Sequence, residues 1–269
     1  MYPLWLIKMS ENFDIHAKNY DTVFTYSQIG KAQRNRVYHF LNKDILKKQN
    51  LNILELNCGT GEDARYFAQQ GHSVLASDIS SEMIKVAKEK NKNTNIRFQQ
   101  LDITKITSET FTEKFDLIFS NFGGLNCLSK SDLESFIQTS ESLLSPSGKV
   151  ALVIMPKYCL WERFYFSIKG EFKKAGRRNT NKPLMVNVEG NPVSTWYYNP
   201  KEVVTLASNI YKTTAINPIG VKIPPSYLES FFSKKRSLLK LLIWAERLFS
   251  NRFWAKYADH YLILFQKKE

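Results

Sequence analysis

The chain has 269 residues, 43% of them hydrophobic and 23% charged, a balance that excludes a disordered chain and suits a globular protein with a sizeable core. Its three cysteines, Cys58, Cys127 and Cys159, show no CxxC or Cys/His spacing, so neither a disulfide framework nor a metal site is expected, and the cytosol is the expected compartment. The net charge of +13 is uneven: residues 1–150 hold 18 basic and 17 acidic side chains and residues 151–269 hold 20 and 8, which makes the second half the part expected to meet something anionic.

Met1 to Ile7 are apolar but too short for a spanning helix, and they lack the basic start and small-residue cleavage site of a signal peptide. Met9 reads as a second start, with residues 1–8 as an upstream extension. Residues 11–48 carry Val37, Phe40, Leu41, Ile45 and Leu46 at helical spacing and are expected to lead into the core as helices. The period then changes. Asn52 to Cys58 is a short buried-strand run ending in Gly59-Thr60-Gly61, with a helix over 62–70 closed by Gly71. A second strand follows at 72–78, and Ser80 is placed to cap a helix over 81–90. Strands at 96–102 and 115–121, a helix at 133–144, the turn Ser145-Pro146-Ser147-Gly148 and a fifth strand at 149–155 complete the series.

Strands separated by helix-length segments from residue 52 to 156 specify a parallel, doubly wound α/β sheet, with ligands at the carboxyl ends of its strands. Further on, 193–198 reads as a strand, 200–211 as a helix, 213–221 as a strand, 231–256 as one long helical stretch and 261–265 as a terminal strand. One domain in two parts is expected: a core with N-terminal helices at 11–156, and an acceptor-side insertion, basic helix and terminal strands at 157–269.

Glycines at 59 and 61 remove the side chains that would keep a ligand from the backbone where strand gives way to helix. The segment Gly59-Thr60-Gly61-Glu62-Asp63-Ala64 also satisfies the loose G-x-G-x-x-A dinucleotide form. Against that, Glu62 and Asp63 would stand where a pyrophosphate belongs, an arrangement that a cofactor with a cationic centre tolerates. Asp78, ending the second strand, is placed to accept both hydroxyl hydrogens of a ribose. Asp102, ending the third, is placed to accept from an adenine amine while the Ile103 amide donates to the ring and Ile79 and Met83 supply apolar faces.

On these features, residues 51–156 resemble the core of class I S-adenosylmethionine-dependent methyltransferases, with Phe115-Asp116-Leu117-Ile118-Phe119-Ser120-Asn121 as the fourth strand. Ala17-Lys18-Asn19-Tyr20-Asp21 is similar to the entry helix of that family's small-molecule and lipid branch. The resemblance implies a Rossmann-like, seven-stranded, mostly parallel sheet with an antiparallel last strand and an insertion after strand five. It implies S-adenosyl-L-methionine as cofactor, Tyr20 helping to cover it, and Glu55, Asn57, Gly59 and Gly61 in the position of the family's E-x-G-x-G-x-G, where Asn57 departs from glycine. Asn tolerates left-handed backbone better than other residues that carry a side chain.

Methyl transfer from a sulfonium needs positioning more than a covalent nucleophile, and no catalytic residue is assigned. Asn121 is the candidate in the loop after strand four, holding cofactor or acceptor, or only capping the strand. Cys127 is expected to be an inert small apolar residue, and none of His16, His39, His72 and His260 lies in that loop. The acceptor expected is small or lipid-like and anionic. Lys173, Lys174, Arg177 and Arg178, with the aromatic run Phe164-Tyr165-Phe166 and Phe172, read either as an acceptor lid or as a solvated loop over an aromatic patch. The 231–256 helix reads either as core or as a peripheral contact with an anionic membrane. A nucleic-acid methyltransferase is the alternative function, though 121–127 lacks the Asn-Pro-Pro-aromatic pattern, and a cofactor-binding protein without catalysis is another.

Overall fold

The structure is a computed structural model that describes residues 21–92, 95–188 and 191–268. Tyr20, His16 and the segment 1–8 lie outside the described residues. Seven strands form the main sheet: β1 (Asn52–Leu56), β2 (Ser73–Asp78), β3 (Ile96–Gln100), β4 (Phe115–Ser120), β5 (Leu144–Ile154), β8 (Tyr211–Ile219) and β9 (His260–Lys267), in the order β3-β2-β1-β4-β5-β9-β8. The first five are parallel, and β9 runs antiparallel between β5 and β8. This is the expected Rossmann-like arrangement. A separate hairpin, β6 (Leu184–Val188) with β7 (Asn191–Thr195), extends the region after β5.

The apolar runs are continuous because both faces of the sheet are covered. Along β1, Ile53 joins the core on one face while Leu54 and Leu56 join the core on the other. The helices are α1 (Gln28–Asp44), α2 (Glu62–Gln69), α3 (Ser81–Lys90), α4 (Lys130–Leu143), α5 (Leu160–Ile168), α6 (Phe172–Ala175), α7 (Pro200–Ala207), α8 (Glu229–Phe232) and α9 (Arg236–Glu246). Ser80 caps α3 by accepting from the Met83 amide at 3.0 Å, as its position predicts. At α4, Ser129 and Asp132 form a capping box that starts the helix three residues before the apolar pattern does.

Two expectations are corrected. Strand β5 begins at Leu144, so the Ser145–Gly148 turn lies within it; the β4–β5 register shifts between Phe115 and Leu117, and an irregular stretch tolerates the N–H that Pro146 lacks. The stretch 231–256 is not one helix. It is cut into α8, α9 and a 3-10 turn at Arg252–Tyr257, whose start is fixed by the Asn251 side chain accepting from the Phe253 amide at 2.9 Å.

Two long-range carboxylates fasten the carboxyl-end layer. Glu229 accepts from the amides of Gln28 and Ile29, both at 2.9 Å, placing negative charge at the start of α1. Glu246 accepts from four consecutive amides, Gly220 to Ile223, at 2.6 to 3.2 Å. Only a carboxylate offers two acceptor oxygens to four donors in this way. The variant Glu246→Ala is therefore expected to lose about 3 kcal/mol of unfolding free energy, the scale for buried amides deprived of a charged partner, read as a lower urea midpoint with an unchanged slope.

Candidate functional site

Strand order sets the place of the site. Strand β1 has β2 on one side and β4 on the other, so the loops that leave β1 and β4 diverge and open a cavity at the carboxyl end of the sheet. Asn57, Gly59 and Gly61 in the first loop have φ of 56°, 51° and 78°, all left-handed. A Cβ at Gly61 would come within 2.8 Å of the Phe98 ring, so glycine is required there twice over. Asn57 keeps the turn that glycine would make and adds a link to β4, because its Oδ1 accepts from Ser120 Oγ at 3.1 Å. Its side chain also fills the space over Gly124, where a Cβ would stand 2.5 Å from it.

Asp78, ending β2, closes the same loop. Its Oδ2 accepts from the Gly59 amide at 2.9 Å and its Oδ1 from the Ser80 amide at 3.0 Å. Each carboxylate oxygen has further lone-pair capacity, so the group can still accept from a ligand. Thr60 donates to Asp21 at 2.5 Å, and Lys90 also pairs with Asp21, which anchors the entry segment against the loop.

A buried polar cluster stands behind these groups. Asp63, in the first turn of α2, pairs with Arg34 at 2.8 Å and accepts from Tyr38 at 2.6 Å and Asn121 at 3.1 Å. Glu55 is fully buried nearby and its Oε2 has no hydrogen-bond partner. Burial, reinforced by the Asp63 charge, pushes its carboxyl well above the usual range, so Glu55 is held neutral. The cavity's other wall centres on Phe122, whose φ of 45° is a strained value for a bulky residue. Arg34 lies over its ring at 4.9 Å, and Phe24 and His260 meet it edge to face at 5.1 and 5.6 Å.

Of the residues the sequence singles out, Asn57, Gly59, Asp78, Ile79, Met83 and Asn121 line this cavity together. Glu55 and Gly61 do not: Glu55 is buried beside Asp63 and Arg34, and Gly61 is closed off against Phe98 and Asn91. Asp102 and Ile103 stand outside it: Asp102 caps a 3-10 turn at Ile103–Lys105, accepting from Thr104 N at 3.0 Å and Thr104 Oγ1 at 2.7 Å, and Ile103 is in the core. Cys127 lines the cavity, but burial pushes its thiol up to about 12, so it is protonated at neutral pH. Lining residues not read from the sequence include Thr25, Arg34, Met155 and, from the β7 hairpin strand, Val193 and Thr195, whereas Phe122 belongs to the loop after strand four that the sequence already marks. Arg34 lay in a segment read only for apolar period, and nothing local marks the hairpin as part of a site. The lid reading of Arg177 and Arg178 is corrected. Arg178 is buried and bonded to Glu162 and Asp259, both at 2.9 Å, and Arg177 bonds Glu162 at 2.6 Å, so both arginines neutralise interior acids.

Comparison with known proteins agrees with this geometry. Residues 53–148 match the model of a methyltransferase domain family. The chain is 31% identical over 112 residues to a malonyl-[acyl-carrier protein] O-methyltransferase of Acetivibrio thermocellus, a match covering 41% of this chain and 37% of that protein. It is 32% identical over 114 residues to the putative methyltransferase YqeM of Bacillus subtilis, covering 42% and 45%. The matches thus span less than half the length of these curated relatives. Among solved structures, a complex of DhpI with S-adenosylhomocysteine superposes with a TM-score of 0.64 at 14% identity, covering 98% of this chain and 97% of that one. The N-methyltransferase NodS of Bradyrhizobium japonicum does so at 0.60 and 15% identity, covering 97% and 100%. Likeness at such identity is one of fold.

The contact between Asn57 and Gly124 sets up a double-mutant cycle. Gly124→Ala alone should be destabilised by a few kcal/mol through overpacking, whereas Asn57→Gly combined with Gly124→Ala should recover a large part, giving a coupling of about 1 to 3 kcal/mol in chemical denaturation. Glu55 gives a pH signature. Its folded pKa is raised, so above about pH 5 the unfolded chain has lost a proton that the folded one keeps, and stability falls as pH rises. Glu55→Gln keeps the shape of the neutral acid. Its stability relative to wild type should grow by up to about 1.4 kcal/mol per pH unit in that window, measured by denaturation at several pH values.

Proposed function

We propose that this chain, a member of the class I S-adenosylmethionine-dependent methyltransferases, transfers a methyl group to a small or lipid-like acceptor held against Phe122 and the β7 hairpin strand. The observation that carries the reading is the meeting, in one cavity, of the left-handed Asn57–Gly61 loop and the Asp78 carboxylate on one wall and the Phe122 wall across from them. The residues fit the cofactor on their own chemistry. Asp78 retains capacity for ribose hydroxyls, Ile79 and Met83 offer apolar surface, and Asp102 and Ile103 are the proposed partners of the adenine edge. Glu62 lines the cavity with a buried Oε2 that has no hydrogen-bond partner, an acid suited to the cofactor's cationic end and hostile to a pyrophosphate. S-adenosylmethionine supplies an activated methyl group at a sulfonium. The protein's part is positioning: Asn57, Gly59 and Asp78 fix one side, and Phe122, Met155, Val193 and Thr195 present the acceptor from the other in a largely apolar setting. Burial raises the thiols of Cys58, Cys127 and Cys159 alike, which speaks against a thiol nucleophile.

Four of the curated relatives carry names that assign them malonyl-[acyl-carrier protein], a thioester on a carrier protein. We extend from these only the class of acceptor, a small acidic or acyl-bearing molecule, which suits the basic second half of this chain. The test is calorimetry with S-adenosylhomocysteine. Tight binding by wild type and a loss of about 1 to 3 kcal/mol in Asp78→Ala are expected. Folded protein that ignores S-adenosylhomocysteine but binds NAD would sink the proposal. Phe122→Ala should keep cofactor binding within a fewfold and lose methyl transfer, because it removes the acceptor wall and leaves the loop intact.

A further inference from the structure

The segment from Leu228 to Lys256 carries seven cations and two acids, Glu229 and Glu246. Both acids turn inward, one onto the α1 amides and the other onto the Gly220–Ile223 amides, whereas Lys234, Lys235, Arg236, Lys240, Arg247, Arg252 and Lys256 are all exposed. The outer surface of this segment is therefore purely positive.

Helix α9 also has two apolar faces. Leu239, Leu242 and Ile243 pack on a small core with Ile29, Ile223 and Phe232. On the opposite side Leu238, Leu241, Trp244 and Leu248 recur at spacings of three, three and four residues, with Leu241 57%, Trp244 58% and Leu248 70% exposed. Phe231, before the helix, and Phe253, after it, are also 49% and 56% exposed. An apolar stripe flanked by cations is the composition of a helix that lies in a lipid headgroup layer, where burial and charge attraction act together. A second copy of the chain is a poor occupant, because it would bring two sets of like charges face to face. Nucleic acid would satisfy the cations and leave the apolar stripe in water.

We propose that the outer face of α9 and its flanking turns seats the protein on an anionic lipid surface, with Leu241, Trp244 and Leu248 entering the headgroup boundary and the cations meeting lipid phosphates. The topology gives this contact a purpose. Strand β8 runs parallel to β5, so Ile219 ends at the same edge of the sheet as the cavity, and Glu246 bonds the four amides that follow it. Helix α9 is thus fastened at the cavity end of the sheet. A lipid-like acceptor would be met where the protein rests. The inference extends the proposed acceptor class to its source, and it is read by binding without turnover.

Full-length protein is mixed with sucrose-loaded phosphatidylcholine vesicles, with and without one-third phosphatidylserine, and centrifuged at low and high salt. Wild type is expected to pellet with the anionic vesicles only, to be released by salt, and to show a blue-shifted emission that Trp244→Phe removes. Exchange of Lys234, Lys235 and Arg236 for Glu should weaken binding at least about a hundredfold, from roughly fivefold per cation near the surface. Leu241→Gln with Leu248→Gln should weaken it about tenfold or more, and both variants should melt as wild type does, since they alter exposed side chains. Wild type that stays in the supernatant at low salt overturns the proposal. So does binding that the Gln variant leaves unchanged, or single-stranded RNA that strips the protein from vesicles at equal charge. A protein that pellets but does not bind S-adenosylhomocysteine would sink the enzymatic reading and leave this one standing.

Discussion

A carboxylate can keep its charge in the interior beside β1 only if a cation and donors surround it, and Asp63 has all of these. Arg34 is 2.8 Å away, Tyr38 donates at 2.6 Å and Asn121 at 3.1 Å. Those partners come from α1 and from the loop after β4, while Asp63 itself opens α2. One buried charge therefore ties together the three elements that surround the cavity. Removing either ion would leave the other buried and uncompensated, which is far more costly than losing an exposed pair.

The same charge decides the state of its neighbours. Burial, reinforced by the Asp63 and Asp78 charges, pushes the carboxyl of Glu55, whose Oε2 has no hydrogen-bond partner, well above its usual range. Arg34 is fixed by Asp63 on one side and lies over the Phe122 ring on the other, so the ion pair also braces the left-handed backbone at Phe122. Strain at a bulky residue persists only where its surroundings over-determine it, and here Phe24, Arg34 and His260 do so. The backbone strain and the buried charge are parts of one arrangement that holds the Phe122 wall of the cavity in place.

Much of this was legible in the chain, and the reasons for the rest are physical. The five parallel strands, the glycine loop and Asp78 follow from local rules: period, turn chemistry and strand-end placement leave few alternatives. The break of the 231–256 stretch was not legible, because its apolar period runs straight through the cut and only the Asn251 side chain, bonding to Phe253, shows where a new turn begins. Arg34 and the β7 hairpin strand escaped notice for a different reason: they reach the cavity from segments far away in sequence, and no local pattern encodes that approach. Asp102 shows a choice that the sequence leaves open. A strand-end acid has both a ligand and its own chain to bond, and here it bonds Thr104.

The excess of positive charge after residue 150 looks like one property in the sequence, but the fold divides it in two. Arg177 and Arg178 are drawn inward by Glu162 and Asp259, and the latter's carboxyl, although burial works against it, is held far below its usual range mainly by His260 and Arg178. These arginines compensate interior acids and add nothing to the outer field. Meanwhile Glu202, Glu229 and Glu246 bond backbone amides, capping α7, capping α1 and holding the loop after β8. Glu229 and Glu246, turned onto amides in this way, leave the exposed cations of the 228–256 segment unopposed by any acid of that segment, whereas Glu202 still pairs with Lys157. The carboxylates that fasten the carboxyl-end layer are thus also what makes its outside positive, so stability and surface charge here have a single cause.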